Sequence, residues 1–513
     1  MKREIVPKSG AATDWPLILI CAAYVFCAVT CVSHSALWMD ELLAVTAATQ
    51  AHWRGVVHVI WVGTDFSPPT FHLLLHALPG LSSHERLVAR LPSIVAVLGA
   101  GWCVAVIVLR RYPAPIATIA FAATVASPLF GYAVQARQYG LTTFCLAAAL
   151  AVWDGMPDSP KQTPARMIAL WAALAACLSL HFYGVVVVGA LVVCEILWSA
   201  HSRKVRVHVW ATFAALIPVL LAWLPLSIHL RAIGRADQIG PEFYAAPTPV
   251  RLGLAILDLT IGNARQLPLF AGLLLAIILG AVLNPNAGMA QKSRPVVQLP
   301  DPNFLIIMLG LVAIPFGAYE LGAIATGSFV TRYAAGLTLL PGLMISAALA
   351  TCPDPKRAAI IFVPLAAFSL FLQSGGSMRT HVLTQVREVL DQNLAQPVLV
   401  GDGGLYIELV GFLSPADADH VAYLAAPREA PSADPTNEHE VIRLASIDPR
   451  FHVVPFEQAM SRPAGFAFLR VRTEDNDVAF LEFLHRRIPT RLVAETESIE
   501  AFQVQPVPMG HTQ

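Results

Sequence analysis

The chain has 513 residues, of which 56% are hydrophobic and only 13% are charged. Soluble globular proteins carry about 25% charged residues, so this composition excludes an ordinary water-soluble enzyme. The net charge of zero hides an asymmetry, because residues 380–513 carry −9 and residues 1–379 carry +9. The acidic C-terminal part has no basic run that could bind nucleic acid.

Eleven apolar stretches precede a break in composition at Ser374-Gly375-Gly376, and each predicts a membrane-spanning helix. Basic residues concentrate on the cytoplasmic side of membrane proteins, so Lys2, Arg3 and Lys8 predict a cytoplasmic N-terminus. Because eleven is odd, the C-terminal part then lies outside. The predicted spans are residues 15–33, 87–109, 113–130, 139–153, 167–182, 184–199, 209–228, 267–283, 303–325, 333–351 and 358–373.

Five further basic loops fall on the cytoplasmic side when the spans alternate from this start. The first span could instead be a cleaved signal peptide ending near residues 33–36, although its apolar stretch is long for that role. The five loops contain Arg110-Arg111, Lys161 with Arg166, Arg203-Lys204 with Arg206, Lys292 with Arg294, and Lys356-Arg357.

The predicted outer face holds two long loops, 34–86 and 229–266, and the whole C-terminal part. Long loops in a compact body are usually functional, so we expect the functional site on this face. Apolar runs inside loop 34–86 predict short helices that lie in the membrane interface. Residues 1–378 therefore form a predicted membrane domain, and residues 379–513 a predicted extracytoplasmic domain.

The C-terminal part alternates apolar runs with helical stretches, which predicts an α/β domain. Strands are expected near 397–402, 421–424, 453–456, 466–471 and 492–495, with a helix at 405–413. Gly401-Asp402-Gly403-Gly404 follows the first strand. It lacks the GxGxxG spacing of a dinucleotide site, so it predicts a turn from strand to helix.

Two acidic clusters lie in loop 34–86. Asp40 and Glu41 directly follow the first span, where partial burial would raise a carboxyl pKa as a general base requires. They could equally begin a helix and complement its dipole. Asp65 precedes Pro68-Pro69, which can hold it in one orientation or form a simple turn before a helix.

Three arginines mark the outer ends of spans. Arg137 with Tyr139 and Arg332 with Tyr333 run against the positive-inside bias, and a guanidinium can bind two phosphate oxygens. The alternative is that these side chains reach into the lipid headgroups. Arg90, at the entry of the second span, predicts a structural ion pair with a carboxylate.

In order along the chain, the motifs are Asp-Glu after the first span, D-x-x-P-P in the same loop, R-L-P-S opening the second span, A-R-x-Y opening the fourth, and a late R-Y. Together they resemble the GT-C superfamily of integral-membrane glycosyltransferases. The similarity is to its bacterial branch, which is related to protein mannosyltransferases and to aminoarabinose or galacturonic-acid lipid A transferases. The resemblance covers about residues 30–350.

The resemblance implies a polytopic helical fold in a bacterial inner membrane and transfer of a sugar from a polyprenyl-phosphate donor, with inversion. Asp40 would be the catalytic base, with Glu41 and Asp65 as further acids of the site. Arg137, Tyr139, Arg332 and Tyr333 would bind the donor phosphate. The acceptor would be an extracytoplasmic lipid, glycan or protein, and membrane lipids would surround the body. No cofactor is certain, and a divalent cation near the acids stays open.

A secondary transporter or lipid flippase is the main alternative, because many spans and amphipathic loops are compatible with one. Ionisable residues inside the spans, which transporters need, are few: Glu195, His181 and Glu320. A structural or assembly protein is a third interpretation, but it leaves the outer acids and arginines unexplained.

The basic loops generate a testable topology. Single cysteines at positions 40, 250 and 430, placed in a chain freed of its eight native cysteines, should react with a membrane-impermeant thiol reagent in intact cells. Cysteines at positions 160 and 295 should react only after the membrane is opened. Labelling at 160 without labelling at 40 would contradict the orientation and the location of the site.

Overall fold

A computed structural model of the chain describes residues 15–81, 85–158, 164–237, 245–282, 301–375, 378–392, 397–426, 435–472 and 478–505. Within these ranges a helical body is followed by a smaller domain built on a mixed β-sheet. The basic N-terminus, Lys161 and the pair Lys292 and Arg294, which entered the topology prediction, lie outside the described residues.

The helical body contains a counterpart of each predicted span, which confirms a polytopic α-helical membrane fold. Three of the counterparts are shorter apolar helices: Ala114–Val125, Tyr139–Asp154 and Pro164–Leu180. Eight are long and apolar enough to cross a membrane: Trp15–His34, Glu85–Leu109, Gly184–Ser202, Val207–Arg235, Pro249–Leu279, Pro302–Thr326, Thr331–Leu349 and Pro355–Gln373.

Several of the long stretches change direction or helix type. The seventh predicted span, for example, consists of Val207–Ala214 followed by Ile217–Asp237. Three further stretches are divided in the same way. The first consists of Pro249–Thr260, Ala264–Gln266 and Leu267–Val282. The second is Pro302–Leu321 with a π turn at Gly322–Thr326, and the third is a 3₁₀ segment, Thr331–Leu339, that continues into Leu340–Leu349. A short helix, Leu129–Ala133, precedes the fourth span.

Small residues allow the helices of the body to pack closely. Gly310 faces Cys194, and Gly342 faces Thr124, with no room for a Cβ at either glycine. Close backbone approach of this kind is typical of helices in lipid, where burial of apolar surface does not drive association. The outer surface is correspondingly apolar: Ile18, Phe26 and Val95 are each more than 60% exposed.

Ion pairs join the helices at the ends predicted to face the cytoplasm. Arg110 and Arg111 both bind Asp154. At the same end, Arg206 pairs with the fully buried Glu195, which also accepts a hydrogen bond from Trp153 Nε1 at 2.9 Å. Glu195 is thus neutralised within the fold, although the sequence alone allowed a transport role for it.

Loop 34–86 contains three short helices, as its apolar runs predicted. They are Met39–Ala48, Trp53–Trp61 and Thr70–His76. The first is buried along most of its length, and its leucines belong to a core that also contains side chains of the C-terminal domain. We call Met39–Ala48 the acid-bearing helix, because Asp40 and Glu41 lie in its first turn.

In its described residues, the C-terminal domain has a six-stranded sheet in the order β3-β2-β1-β4-β6-β5. The strands from β3 to β4 are parallel, and β6 pairs antiparallel with β4 and β5. Five strands agree with the prediction, whereas β6 was missed. The strands are β1 Val398–Val400, β2 Val421–Ala425, β3 Val453–Pro455, β4 Phe466–Val471, β5 Thr490–Glu495 and β6 Ile499–Val504.

Helices cover this sheet and connect it to the body. Asp402 caps the first of them after β1 by accepting a hydrogen bond from Leu405 N–H at 2.6 Å, so the glycine-rich segment is the expected turn. The helix Met378–Leu390 links body and domain, and we call it the linker helix. The helix that Asp402 caps is Gly403–Phe412, and it is followed by Pro415–Ala418, Pro435–Ala445, Phe456–Met460 and Val478–Arg487.

Candidate active site

A cavity of about 560 Å³ lies where the predicted outer ends of the spans meet the acid-bearing helix and the C-terminal domain. One side of it is apolar and includes Leu220, Leu221 and Leu224 from the helix Ile217–Asp237. The other side is polar and brings together six residues that the sequence motifs singled out: Asp40, Asp65, Arg137, Tyr139, Arg332 and Tyr333.

Glu41 and Arg90, the other two motif residues, form a buried ion pair. Arg90 Nε and Nη2 donate to the two Glu41 oxygens at 2.7 and 2.6 Å. Glu41 also accepts from Ala136 N–H at 2.5 Å and Trp38 N–H at 3.1 Å, while Arg90 donates to two backbone carbonyls. With four donors around it, the fully buried Glu41 has no free oxygen for a substrate. It does not fit the expectation of a second reacting acid.

Asp65 lies in a second saturated cluster. Arg137 binds both of its oxygens, and His72 Nε2 lies 3.0 Å from Oδ2. Burial raises the pKa of the Asp65 carboxyl, but the charge of Arg137 and the contacts with His72 outweigh it and hold that pKa well below its usual range. Asp65 is therefore ionised at neutral pH, which suits it to holding Arg137 rather than to moving a proton.

Arg137, which the resemblance assigns to the donor phosphate, lines the cavity and has several protein partners. Its two terminal nitrogens are engaged by Asp65, and Nη1 also donates to the Asp40 carbonyl at 3.0 Å. These bonds tie the loop of Asp65 to the backbone of the acid-bearing helix. The buried Nε has no hydrogen-bond partner in the described part of the chain, so a phosphate contact of Arg137 stays a prediction.

Asp40 has a different environment from the other two acids. Its Oδ2 accepts no hydrogen bond from the part of the chain that the structure describes, although the residue is only 7% exposed. Arg332 Nη2 lies 3.2 Å from that oxygen. The N-cap of the helix is Trp38, so Asp40 lies in the first helical turn, where its charge also complements the helix dipole. Its carboxylate lines the cavity and has Arg332 as its charged partner.

Aromatic rings surround these charges. The guanidinium of Arg332 lies 5.7 Å from the Trp38 ring and 6.0 Å from the Tyr139 ring, within cation–π range. Tyr333 stacks on Tyr183 at 4.2 Å. Arg332 is thereby held at the cavity wall by an acid and two aromatic faces, and not extended toward lipid headgroups.

Sequence reasoning missed several residues of the cavity. His181 and Tyr183 lie in the turn between two spans, Arg231 lies on the helix Ile217–Asp237, and Asn437 and Glu440 come from the C-terminal domain. Burial is the main cause that lowers the pKa of His181, and the charge of Arg137 lowers it further, to about 3. The His181 ring is therefore neutral. No local motif marks these positions, since the tertiary fold alone assembles them.

The acids do not fit a resident divalent cation. Such a site needs several free oxygen ligands, yet Arg90 neutralises Glu41 and Arg137 neutralises Asp65. In the described ranges no three His, Cys, Asp or Glu side chains are grouped as a metal site.

Solved structures of other proteins have a fold similar to that of this chain. The chain is similar to ArnT from Cupriavidus metallidurans bound to undecaprenyl phosphate, with a TM-score of 0.55 and 13% identity over 97% of this chain and 99% of that one. For the apo state of ArnT the TM-score is 0.56 at 13% identity, over 96% and 98% of the two chains. No family model and no curated protein matches the sequence. The chain thus shares its overall fold with ArnT.

The buried ion pair gives a stability prediction. Arg90→Ala leaves the Glu41 charge buried without its partner, so the free energy of unfolding in mixed detergent micelles should fall by about 3–5 kcal/mol. The matched control is Arg357→Ala, whose pair with Asp354 is largely exposed and should matter by less than about 1 kcal/mol. Equal stability of the two variants would refute a structural role for Arg90.

Proposed function

We propose that this protein is a membrane glycosyltransferase that moves a sugar from a polyprenyl-phosphate donor to an acceptor on the outer face of the membrane, with inversion at the anomeric carbon. One observation carries the proposal: a single cavity joins an apolar wall to a carboxylate, that of Asp40, beside the guanidinium of Arg332. The similarity in fold to a protein bound to undecaprenyl phosphate supports this class of donor.

The donor would bind along the length of the cavity. Its polyprenyl chain would lie against Leu220, Leu221 and Leu224, because apolar surface favours contact with a lipid tail over water. Its phosphate would lie near Arg332, and the exposed Arg231 lines the same cavity and would add a second positive charge. Arg231 would thus add to the positive charge that Arg332 and Arg137 bring to this cavity.

The reaction needs a base and a stabilised leaving group. Asp40 would take the proton of the acceptor hydroxyl as its oxygen attacks the anomeric carbon from the face opposite the phosphate. The bond from that carbon to the phosphate oxygen breaks, and the electron pair leaves with the polyprenyl phosphate. Arg332 and Arg231 would stabilise the growing phosphate charge, so no general acid is required.

The other acid clusters would hold the base in position. Arg137 donates to the Asp40 carbonyl and to Asp65, and Asp65 is in turn bonded to His72. Glu41 anchors the same helical turn to Arg90. Two buried ion pairs thus flank Asp40 and limit its movement, which is the preorganisation that transfer chemistry requires.

The transporter and flippase alternative is less well supported. A transporter needs ionisable groups near the middle of the membrane. Glu195 is neutralised by Arg206 at the opposite end of the body, and His181 lines the cavity with a neutral ring. The charged groups that remain available cluster at one face, as chemistry at that face would require.

Asp40→Asn tests the base. The amide keeps the shape and cannot take the proton, so transfer from a polyprenyl-phosphate sugar should slow by about 10²–10⁴-fold while donor binding is retained. Asp354→Asn is the control, because Asp354 caps the helix Pro355–Gln373 far from the cavity and its loss should leave the rate unchanged. A wild-type rate in Asp40→Asn would remove Asp40 from the chemistry.

Arg332→Lys tests the phosphate contact. Lysine keeps the charge but not the planar fork, so affinity for polyprenyl phosphate should fall, and Arg332→Ala should lower it further. Tyr333→Phe should have a milder effect, of about 0.5–1.5 kcal/mol for one hydrogen bond. Arg265→Lys, at an exposed position on the same predicted face, is the control. Direct binding to detergent-purified protein measures all four, and unchanged affinity in Arg332→Ala would exclude the contact.

A further inference from the structure

The first turn of the acid-bearing helix takes a hydrogen-bond partner from the C-terminal domain. Met39 N–H donates to Glu408 Oε1 at 2.9 Å, and Glu408 lies on the helix Gly403–Phe412. The first N–H groups of a helix lack partners within the helix, and a carboxylate there also complements the helix dipole. Glu408 therefore caps, from another domain, the turn that carries Asp40.

Glu408 is itself held in place. Its side chain is 1% exposed, and Arg379 Nε of the linker helix lies 2.6 Å from Oε1 and 2.7 Å from Oε2. Burial raises the pKa of the Glu408 carboxyl, and the charge of Arg379 opposes that rise. One short chain of contacts thus runs from the linker helix through Glu408 to the residue that precedes Asp40.

Two further contacts fix the same segment. On its N-terminal side, Ala36 N–H donates to Thr380 Oγ1 of the linker helix at 3.1 Å. On its C-terminal side, Leu42 packs against Gly411 so closely that no Cβ fits there. Residues 36, 39 and 42 are therefore all held by elements beyond residue 377. Contacts with the C-terminal part of the chain therefore lie on both sides of Asp40.

The C-terminal domain also reaches the loop that carries Asp65. Arg443 Nη1 donates to the Gly63 carbonyl at 3.1 Å. Gly63 has φ of +88°, a conformation that favours glycine, so this loop follows a specific path beneath the domain. The domain thus contacts both acidic segments of the cavity.

We infer that Glu408 is a positioning residue for Asp40, so that the C-terminal domain is part of the active site and not an appended module. The catalytic consequence rests on the proposed function. The hydrogen bond to Met39 sets where the first helical turn lies, and the turn sets where the Asp40 carboxylate meets the acceptor. A displacement of about 1 Å can cost about 10²-fold in rate, so loss of the cap should affect turnover more than binding.

Glu408→Ala removes the acceptor for Met39 N–H. Its kcat should fall by about 10- to 100-fold, with the KM for the donor within about twofold of wild type. Glu408→Gln keeps an acceptor oxygen and should restore most of the turnover. Glu500→Ala is the matched control, because it also breaks a carboxylate–arginine pair of this domain, with Arg470 at 3.2 Å, without touching the acid-bearing helix.

Amide hydrogen exchange tests the positioning separately from the chemistry. Peptides that cover residues 36–48 should exchange faster in Glu408→Ala than in wild type, Glu408→Gln or Glu500→Ala. Gly411→Ala, which pushes on Leu42 and leaves Glu408 intact, should have the same effect and keeps the test open if Glu408→Ala does not fold.

The exchange and turnover measurements test the role of Glu408 and the proposed function separately. Faster exchange with a kcat-selective loss supports the inference. Unchanged exchange, or faster exchange with normal kcat, overturns it. If wild-type protein transfers no sugar from any polyprenyl-phosphate donor, the proposed function fails, while the exchange result still decides whether Glu408 holds the helix.

Discussion

The ion pair between Glu41 and Arg90 is the interaction on which the outer part of the structure depends. Charges removed from water are costly unless every partner is satisfied, and here all partners are present. Through them the second span, the loop before the fourth span and the acid-bearing helix are held together. The acid-bearing helix and the loop before the fourth span both line the cavity.

Three acids of one loop end in three environments, and hydrogen bonding distinguishes them better than their position in the sequence. Glu41 is saturated by four donors, and Asp65 by an arginine and a histidine. Asp40 is ion-paired with Arg332, but its Oδ2 accepts no hydrogen bond in the described part of the structure. Saturated carboxylates stabilise structure, whereas an unsaturated one beside a cavity can serve chemistry. The proposed base follows from this difference.

Long-range contacts also connect the membrane body to the C-terminal domain. A membrane body alone would leave the start of the acid-bearing helix without the carboxylate of Glu408 and without the surface around Gly411. The core that packs this helix contains leucines from both sides of the domain boundary. Glu440 and Asn437 complete the cavity wall from the C-terminal domain. We therefore regard the cavity as a product of both domains.

The sequence by itself determined what depends on local pattern. Apolar runs predicted the helices of the body, because backbone groups in lipid must be satisfied within a helix, and eight of the described helices are long enough to cross a bilayer. Alternating apolar runs identified five of six strands. The sixth, Ile499–Val504, pairs with the neighbouring β5 and with β4, and it was missed because Glu500 and Gln503 interrupt its apolar run.

Only the tertiary structure decided what each motif residue does. Arg137 and Arg332 look equivalent in sequence, as arginines at outer span ends, yet the fold engages Arg137 with Asp65 and leaves Arg332 beside Asp40 in the cavity. Likewise nothing in the local sequence links Glu408 to Met39, which lies 369 positions away. The physical reason is common to both cases: a charged group's function is set by its partners, and partners are assigned by long-range packing.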